Sequence, residues 1–455
     1  MSKSIRNATP LRAARAQPST PEITVHALYR SAIGVDVHLG LLVCCYQTQC
    51  EGHSELSESQ DFRTDRPGID AFCTWCRERH PDIILMESTG SLWQSPYEAL
   101  ERAGFRSERL ALINARDAKA AVGRKTDRKD AARLASLARS GNFRKSFVQD
   151  KDFRLQRVLS RDLQKNKNDI ARTANRFSKS WNLTGCRPTM VFSDIRGGKA
   201  ASCILMAKLN DAPDLEEIVR RNSGRLRASP EEIMQAIDFD IDPVMQEQIL
   251  ALRRKIDQLE EYDRSTFDRL RQLQAPYEKE IKLLITITGI QERSARMIFA
   301  ELSTNLKAHF PTSEQFASWL GICPGDNTSA GKQKSGRCPK GNKYLRRTLV
   351  EAARGLVVGG SQAIKEKFQA LKMRRGYKRA MVALAHLLAR IIYSVLTRKQ
   401  AFKPYQSTAF RDVVVERARN GMKQLLKLDG TEYVVADGLV VETKTGAILG
   451  TIVSI

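Results

Sequence analysis

The sequence lacks the features that mark a membrane or secreted protein. No uninterrupted apolar run in its 455 residues reaches the roughly 18 residues that a membrane span requires, and the N-terminus has no hydrophobic signal core. It also has no amphipathic segment with the character of a membrane anchor. We therefore expect a cytoplasmic protein that does not act on membranes.

The nine cysteines lack the arrangement of a disulfide framework. Their number is odd and their spacing is sparse, which predicts reduced thiols. Cys73 and Cys76 form one C-x-x-C pair, but no second pair with the spacing of a zinc site follows. Because the surrounding "IDAFCTWCRER" has the pattern of an amphipathic helix, we expect these two thiols to pack in a core.

Acidic residues are in short supply relative to basic ones. Lysine and arginine together number 75 against 51 aspartates and glutamates, which gives a formal net charge of +24 and a pI near 9.8. Such an imbalance is typical of proteins whose partner is a polyanion. With 42% hydrophobic residues the chain can also bury substantial cores. These numbers predict a globular nucleic-acid-binding protein of two or three domains.

The N-terminal part of the chain reads as a basic arm followed by an α/β domain. Residues 1–30 are rich in Pro, Ser, Thr and Arg and predict a flexible arm. Residues 31–150 alternate strand and helix patterns, with strands expected at "AIGVDV", "LLVCCYQTQ", "DIILMES" and "RLALIN". A helix should begin near Thr126, a plausible N-cap, and end near Arg139.

The middle of the chain, residues 151–279, predicts a helical coiled-coil region. Apolar residues follow one helical face over 152–182, and three-and-four spacing returns over 244–275, with an irregular insertion at 184–243 between them. We interpret the second segment as a coiled-coil arm that joins copies of the chain into a dimer or tetramer. An intramolecular helical hairpin is the alternative.

Residues 280–400 predict a mainly α-helical domain, and residues 401–455 a small tail with short strands. The segment "LLITITGIQERSARMIFAEL" places two helices around the turn Thr288-Gly289-Ile290, the form of a helix-hairpin-helix. Backbone amides in such a turn can meet a phosphate without reading bases. A simple helical hairpin is the alternative, because one glycine turn is a weak signal.

A glycine-rich basic loop, "GICPGDNTSAGKQKSGRCPKGNKYLRR", interrupts the helical pattern of this domain. Its composition suits contact with phosphates. The candidate nucleic-acid-binding residues in and after it are Lys332, Lys334, Arg337, Lys340, Lys343, Arg346 and Arg347.

Four carboxylates stand at positions that a sheet and a helix start would bring together. Asp36 and Glu87 each end a predicted strand, and Asp127 and Asp130 open the helix after Thr126. Such a set can surround divalent cations, and Mg²⁺ commonly binds through a few carboxylates plus substrate phosphates. Taken singly, each acid has an ordinary explanation as a strand-end cap, a surface ion pair or a helix N-terminal charge.

Cations flank the aspartate pair in "GRKTDRKDA". They are Arg124, Lys125, Arg128 and Lys129. In isolation this stretch is the charge alternation of a solvated helix. Beside a metal cluster the same cations would bring a phosphate backbone to the bound ion.

The order of these motifs resembles the DEDD insertion-sequence transposases of the IS-one-ten family. The resemblance is carried by "GVDV", "MEST" and "KTDRKDA", followed far downstream by "GICPGDNTSAGK" and "GNKYLRRTLVEAA". It covers roughly residues 31–140 and 280–400. Ala330 stands where many relatives have glycine, and the arm, the tail and residues 184–243 lie outside the shared pattern.

The resemblance implies a RuvC-like domain of the ribonuclease H fold, in which Asp36, Glu87, Asp127 and Asp130 hold Mg²⁺. It further implies a nucleophilic serine, Ser329 here, that forms a phosphoserine bond with DNA. Thr328 and Ser335 are neighbouring hydroxyls that remain alternatives to it. Donor and target DNA and a structured guide RNA, called a bridge RNA, are the implied partners of a homo-oligomer.

Two other functions remain open from the residues alone. A RuvC-like junction nuclease would use the same carboxylates to hydrolyse DNA with water and would need no serine. A nucleic-acid-binding scaffold would use only the basic helices and the hairpin.

Overall fold

The computed structural model describes residues 27–49, 55–87, 90–115, 126–325, 327–329, 332–403, 433–436, 439–442 and 448–451. These residues fall into two compact units, Met1–Val148 and Gln149–Ile455. The predicted basic arm up to residue 26, together with Arg124 and Lys125, lies outside the described residues.

A five-stranded mixed sheet forms the centre of the first unit. Its strands are β1 (Ser31–Val37), β2 (Leu41–Gln49), β3 (Glu55–Arg63), β4 (Ile83–Glu87) and β5 (Leu110–Ile113). They lie in the order β3-β2-β1-β4-β5. The first three pair antiparallel, whereas β4 runs parallel to both β1 and β5. This confirms the predicted α/β domain and its four expected strands.

The edge strand β3 was not predicted. Its sequence, "ELSESQDFR", has only two apolar residues, Leu56 and Phe62. An edge strand with one face in solvent needs few apolar side chains, so hydrophobic periodicity could not find it. The local sequence pattern does not predict that this segment pairs with β2.

Among the described residues of this unit, three helices cover the two faces of the sheet. They are Arg66–Arg79, Gln94–Arg102 and Asp127–Ser140. The first packs Phe72, Trp75 and both C-x-x-C thiols into one core, as expected for Cys73 and Cys76. The third begins at the predicted N-cap, where the Thr126 side chain accepts a hydrogen bond from the Lys129 N–H. This third helix covers the face of the sheet opposite the first helix.

Two long helices, Lys151–Leu183 and Pro243–Leu273, form the frame of the second unit. They lie antiparallel, because Leu163 packs with Leu270 at one end and Trp181 packs with Ile249 near the other. The apolar face that we expected to join copies of the chain is therefore buried against a helix of the same chain. The pair is the intramolecular hairpin that the sequence left as the alternative.

The segment between them is helical, so the prediction of an irregular insertion over 184–243 is wrong. It contains four helices of 4 to 11 residues: Pro188–Val191, Lys199–Leu209, Leu215–Ser223 and Pro230–Ile237. Such short helices give too few turns for a clear periodicity, and packing stabilises them. Ile204, Val219 and Ile233 bury their side chains in one core with Trp181.

The rest of the second unit is mainly helical, as predicted. The helices are Glu278–Ile285, Glu292–Ala300, Leu306–His309, Ser313–Trp319, Lys343–Gly359, Gln362–Arg375 and Tyr377–Arg398. By length and composition Tyr377–Arg398 could cross a membrane, but the core helix of a soluble protein passes the same test. Its Leu384, Leu388 and Ile392 are buried within this unit.

The turn between the first two of these helices contains Gly289 at a φ of +88°. A Cβ there would lie 2.5 Å from the Ala352 carbonyl oxygen and 2.6 Å from the Leu356 nitrogen. Glycine is thus required because another helix of the chain packs directly on this turn. That contact explains the glycine without a bound phosphate.

The C-terminal tail contributes the short strands that its sequence predicts. They are β8 (Tyr433–Ala436), β9 (Leu439–Glu442) and β10 (Ile448–Thr451), which form a small antiparallel sheet.

Candidate active site

Asp36 lies near the end of β1, the central strand of the sheet, where its side chain is 14% exposed. Burial raises the pKa of Asp36, and the nearby charges of Glu87, Asp127 and Asp130 raise it further, whereas His38 lowers it. The other three sequence-predicted carboxylates are therefore close enough to act on Asp36. This cluster is the candidate active site of the first unit.

Glu87 reaches the cluster because β4 runs parallel to β1. The register pairs Val35 with Met86, so the next residue on each strand, Asp36 and Glu87, emerges at the same edge of the sheet. Parallel pairing brings the carboxyl ends of neighbouring strands together. The sequence predicted this placement.

Asp127 and Asp130 reach the cluster on the first turn of the Asp127–Ser140 helix. The helix packs tightly on β1 at Gly34, where a Cβ would lie 2.2 Å from the Ala131 carbonyl oxygen. Asp130 is mostly buried and lies 4.0 Å from Arg133, whereas the Asp127 side chain is 62% exposed. Negative charge on this turn also complements the helix dipole.

His38 is a member of the cluster that the sequence analysis missed. Its Nε2 lies 3.3 Å from Asp36 Oδ2 and 3.6 Å from Asp127 Oδ2. This nitrogen is buried and has no hydrogen-bond partner among the residues that the structure describes. A signal was available, because His38 follows Asp36 by two residues at the end of an apolar strand.

The cluster can hold a divalent cation. One ligand atom each from Asp36, His38 and Asp127 lie within 4.8 Å of one another. Carboxylate oxygens suit Mg²⁺ and Mn²⁺, and a neutral imidazole nitrogen suits transition metals. The buried His38 nitrogen faces a carboxylate oxygen of Asp36 and one of Asp127, an arrangement that suits a metal ligand.

The cations around the aspartate pair are on the surface. Arg128 lies 3.4 Å from Asp61 of β3, with 74% of its side chain exposed, and Lys129 is also exposed. Both side chains are accessible to a large anionic partner, because the exposed Arg128–Asp61 ion pair is weak.

The basic loop of the second unit contains a β-hairpin that was not predicted. Strand β6 (Asn327–Ser329) pairs antiparallel with β7 (Lys332–Ser335), and Ser329 is opposite Lys332. The three candidate hydroxyl residues Thr328, Ser329 and Ser335 all lie on these strands, as do Lys332 and Lys334.

Two glycine contacts close the base of this hairpin. A Cβ at Gly341 would lie 2.4 Å from the Gly321 nitrogen, and a Cβ at Gly325 would lie 2.5 Å from the Arg337 carbonyl oxygen. The chain on either side of the strands therefore approaches backbone to backbone, which only glycine permits. Ser329 therefore lies on a hairpin whose two flanking segments are packed against each other.

Asn342 connects this base to a buried ionic network. Its Oδ1 accepts hydrogen bonds from the Tyr344 and Leu345 N–H groups and caps the next helix. Its Nδ2 donates to Glu301 Oε2 at 2.7 Å. The Glu301 carboxylate, 1% exposed, pairs with Arg157 at 3.1 Å and Arg161 at 2.7 Å. Burial lowers the pKa of Arg157 to about 10.

The predicted nucleic-acid contacts after the hairpin differ in their availability. Arg337, Lys340 and Lys343 are exposed, and Arg346 is half-buried. Arg347 makes contacts within the chain, 3.2 Å from Glu351 and 2.8 Å from Asn168 Oδ1. The carboxylates all lie in the first unit, and Ser329 lies in the second.

Comparisons with known proteins match the regions that carry these two sets of residues. A family model described as "Transposase", for the DEDD type of IS110 elements, matches residues 33–187. A second model, described as "Transposase IS116/IS110/IS902 family", matches residues 281–369. The two matches occur in the order that the motifs predicted. The chain belongs to the IS110 family of transposases.

Curated relatives of this IS110-family chain are also named as transposases. The "Probable family 20 transposase" of Pseudomonas aeruginosa is 31% identical over 192 residues, which are 41% of this chain and 55% of that protein. The "Transposase for insertion sequence element IS1111A" of Coxiella burnetii is 30% identical over 141 residues, 28% of this chain and 38% of that protein. The chain thus spans about half the length of the first relative and less of the second.

Proposed function

We propose that this chain is a DNA transposase that cuts and rejoins DNA strands, with a carboxylate-bound Mg²⁺ and Ser329 as nucleophile. The observation that carries the proposal is the meeting of Asp36, Glu87, Asp127 and Asp130 at one edge of the sheet. The family membership supports a DNA substrate, and the net charge of +24 is compatible with it. The chain would act in the cytoplasm.

The first unit is proposed to be a RuvC-like domain of the ribonuclease H fold. The strand order β3-β2-β1-β4-β5, with an antiparallel half and a parallel half, supports this proposal. The acids at the ends of β1 and β4 and at the start of the covering helix support it as well.

Asp36 and Asp127, which have ligand oxygens within 4.8 Å of each other, are proposed metal ligands together with Glu87 and Asp130. When bound, Mg²⁺ would stabilise the negative charge that develops on the phosphate during phosphoryl transfer. Burial raises the pKa of Asp36 and the neighbouring carboxylates raise it further, and their repulsion would be relieved in the metal-bound site. Arg128 and Lys129 would attract the phosphate backbone toward this edge.

Ser329 is the proposed nucleophile. Its hydroxyl oxygen would form a bond to phosphorus while the bond from phosphorus to one deoxyribose oxygen breaks. The serine proton is lost and the released strand end gains one, so a phosphoserine and a free hydroxyl result. The reverse reaction with a second strand end rejoins DNA without an external energy source, because the bond energy is kept in the phosphoserine.

A structured guide RNA and a homo-oligomer complete the proposal. Both come from the family resemblance, and the cationic surface is compatible with RNA as well as DNA. Sequencing the RNA that copurifies with the full chain tests the guide. A structured RNA encoded beside this gene supports guided recombination, and its absence from an active preparation contradicts it.

The chemistry is tested by trapping protein–DNA adducts. With donor DNA and Mg²⁺, Ser329→Ala should abolish the covalent adduct while nucleic-acid binding persists. Thr328→Ala and Ser335→Ala are the matched controls on the same hairpin and should retain the adduct. If Ser329→Ala forms as much adduct as the wild type, Ser329 is not the nucleophile.

The carboxylates are tested with Asp127→Asn and Asp130→Asn, each of which should stop strand cleavage. Normal cleavage by both variants would contradict the metal site. Cleavage that depends on the acids but yields no adduct would instead favour the junction nuclease. That enzyme needs only the carboxylates, which all lie in the first unit, and no serine. Binding without cleavage of a matching substrate would favour the scaffold.

A further inference from the structure

A group of exposed cations surrounds the turn between two helices of the second unit, beyond both regions that the family models match. Between Ser361 and Arg379 seven basic residues stand against one acidic residue. Five of the basic residues lie within eight positions and are exposed: Lys372, Arg374, Arg375, Lys378 and Arg379. We call these five residues the Gly376 patch, after the glycine at the centre of the turn.

The turn that carries the Gly376 patch is well defined. Gly376 has a φ of +79°, and its N–H donates to the Lys372 carbonyl oxygen at 2.9 Å. The Tyr377 ring packs edge-on against the buried Phe368 ring, with a centroid distance of 5.8 Å. The cations therefore project from an ordered turn, so their joint field does not depend on a mobile loop.

The charges of the Gly376 patch are not paired with acidic side chains in the part of the chain that the structure describes. Over the described ranges none of the five residues forms an ion pair. By contrast, Arg347 pairs with Glu351 and Arg390 pairs with Glu314 in the same unit. Cations concentrated on a surface without acidic neighbours repel one another and favour an anionic partner.

Two of these cations lie at a helix N-terminus, where a positive charge lowers the stability of the helix. Lys378 and Arg379 lie in the first turn of the Tyr377–Arg398 helix, which has no acidic residue there. The positive end of the helix dipole repels cations at this position. A role in folding therefore does not explain them, whereas a phosphate bound at the helix start would interact favourably with both the cations and the dipole.

The helix that follows the basic loop and the helix that follows the Gly376 turn both end near the Thr286–Gly289 turn. Gly289 packs on the Lys343–Gly359 helix near its C-terminal end, and Phe402 N–H, just beyond the Tyr377–Arg398 helix, donates to Thr286 Oγ1 at 2.8 Å. The C-terminal ends of both helices thus lie beside the Thr286–Gly289 turn. Their N-terminal ends, with Lys343 on one and Lys378 on the other, point away from it.

We propose that the Gly376 patch binds the phosphate backbone of duplex DNA, and this deepens the proposed transposase function. The patch is a convex helix–helix turn with exposed cations, so it suits the outside of a duplex and cannot enclose a single strand. It would hold DNA that flanks the reaction site without reading its sequence, because phosphate contacts carry no base information.

The test measures duplex DNA binding by the full chain at several salt concentrations without divalent cations, so that it does not depend on cleavage. For Lys378→Gln/Arg379→Gln the slope of log K against log salt should become less steep by about 0.9 for each lost phosphate contact. Adding Arg374→Gln and Arg375→Gln should reduce the slope further. Affinity at moderate salt should fall about tenfold or more.

Arg225→Gln/Arg227→Gln is the matched control, because both arginines are exposed in the same unit. It should leave the salt slope unchanged. The melting temperature of Lys378→Gln/Arg379→Gln should equal or slightly exceed that of the wild type, since the dipole disfavours both cations. Weaker binding then cannot be attributed to unfolding.

An unchanged duplex slope in the four-site variant would overturn the proposal. So would a selective loss of binding to single-stranded or structured RNA, with a slope change near 0.7 per charge on single strands and duplex binding intact. If the wild type binds duplex DNA as expected but never cleaves it, the chemistry proposed above fails while the patch stands.

Discussion

Gly34 and Ala131 bring the two halves of the candidate metal site together. A Cβ at Gly34 would lie 2.2 Å from the Ala131 carbonyl oxygen and 2.3 Å from the Ala135 nitrogen. The helix that begins with Asp127 therefore packs directly on the strand that ends near Asp36. The site depends on the absence of a side chain two residues before its central carboxylate.

Gly34→Ala should displace this helix from β1. The added methyl meets backbone atoms, which cannot rotate away, and overpacking of this kind costs about 1–3 kcal/mol or more of unfolding free energy. Denaturant unfolding measures the loss, and DNA cleavage should fall with it. Gly40→Ala is the control, because a Cβ at Gly40 meets nothing within 4 Å. Equal stability of both variants would contradict the tight packing.

Asp36→Asn should reduce the stabilisation of the first unit by metal without lowering its stability in the absence of metal. Without divalent cations the variant should be as stable as the wild type or more stable, because it removes one of four mutually repelling carboxylates. A bound ion at 100 times its Kd should add about 2.7 kcal/mol to the wild type and less to the variant. Melting temperatures with and without Mg²⁺ or Mn²⁺ measure this. The exposed Asp70→Asn is the control, and an equal metal response in all three proteins would refute the site.

His38→Gln should reveal whether the imidazole is a metal ligand. Losing a nitrogen ligand should weaken Mn²⁺ binding by about tenfold or more and weaken Mg²⁺ binding less, because Mg²⁺ prefers oxygen. Calorimetric titration of both ions measures the difference. The neighbouring exposed Leu39→Ala should bind both ions like the wild type. Unchanged Mn²⁺ affinity in His38→Gln would leave His38 outside the coordination sphere.

Glu301→Ala should strongly destabilise the helical unit. It would leave Arg157 and Arg161 without their carboxylate and Asn342 without its acceptor, and breaking a buried ion pair costs about 3–5 kcal/mol. Glu261→Ala breaks the exposed pair with Arg264 and should cost about 0–1 kcal/mol. Chemical denaturation compares the two. A similar small loss in both variants would mean that the network contributes little to stability.

His386 should make the helical unit less stable in mild acid. Burial lowers the pKa of His386, Arg390 and Lys367 lower it further, and Glu314 partly opposes them. The folded state therefore holds the neutral imidazole, and the unfolded state binds more protons as pH falls from about 7 to about 5. His386→Gln should show a smaller drop in melting temperature over this range. An equal drop would exclude His386 as a source of the acid sensitivity.

The sequence by itself determined the elements whose pattern is local. Short apolar runs predicted β1, β2, β4 and β5, and the Thr126 cap predicted the start of the helix that carries Asp127 and Asp130. Because Asp36 and Glu87 both end apolar strands, the sequence predicted that they meet at one sheet edge, and the parallel pairing of β1 and β4 in the structure accounts for it. The order of the motifs was sufficient to indicate the family.

Only the tertiary structure decided the features that depend on contacts between distant residues. β3 is an edge strand with little apolar signal, the helices of 184–243 are stabilised by packing on Trp181, and the second long helix packs against the first. His38 joins the metal site through its distance to Asp127, and Gly34 admits the helix through its missing Cβ. A local sequence pattern cannot predict the His38–Asp127 distance or the close packing at Gly34, because both arise only when elements that are far apart in the chain pack together.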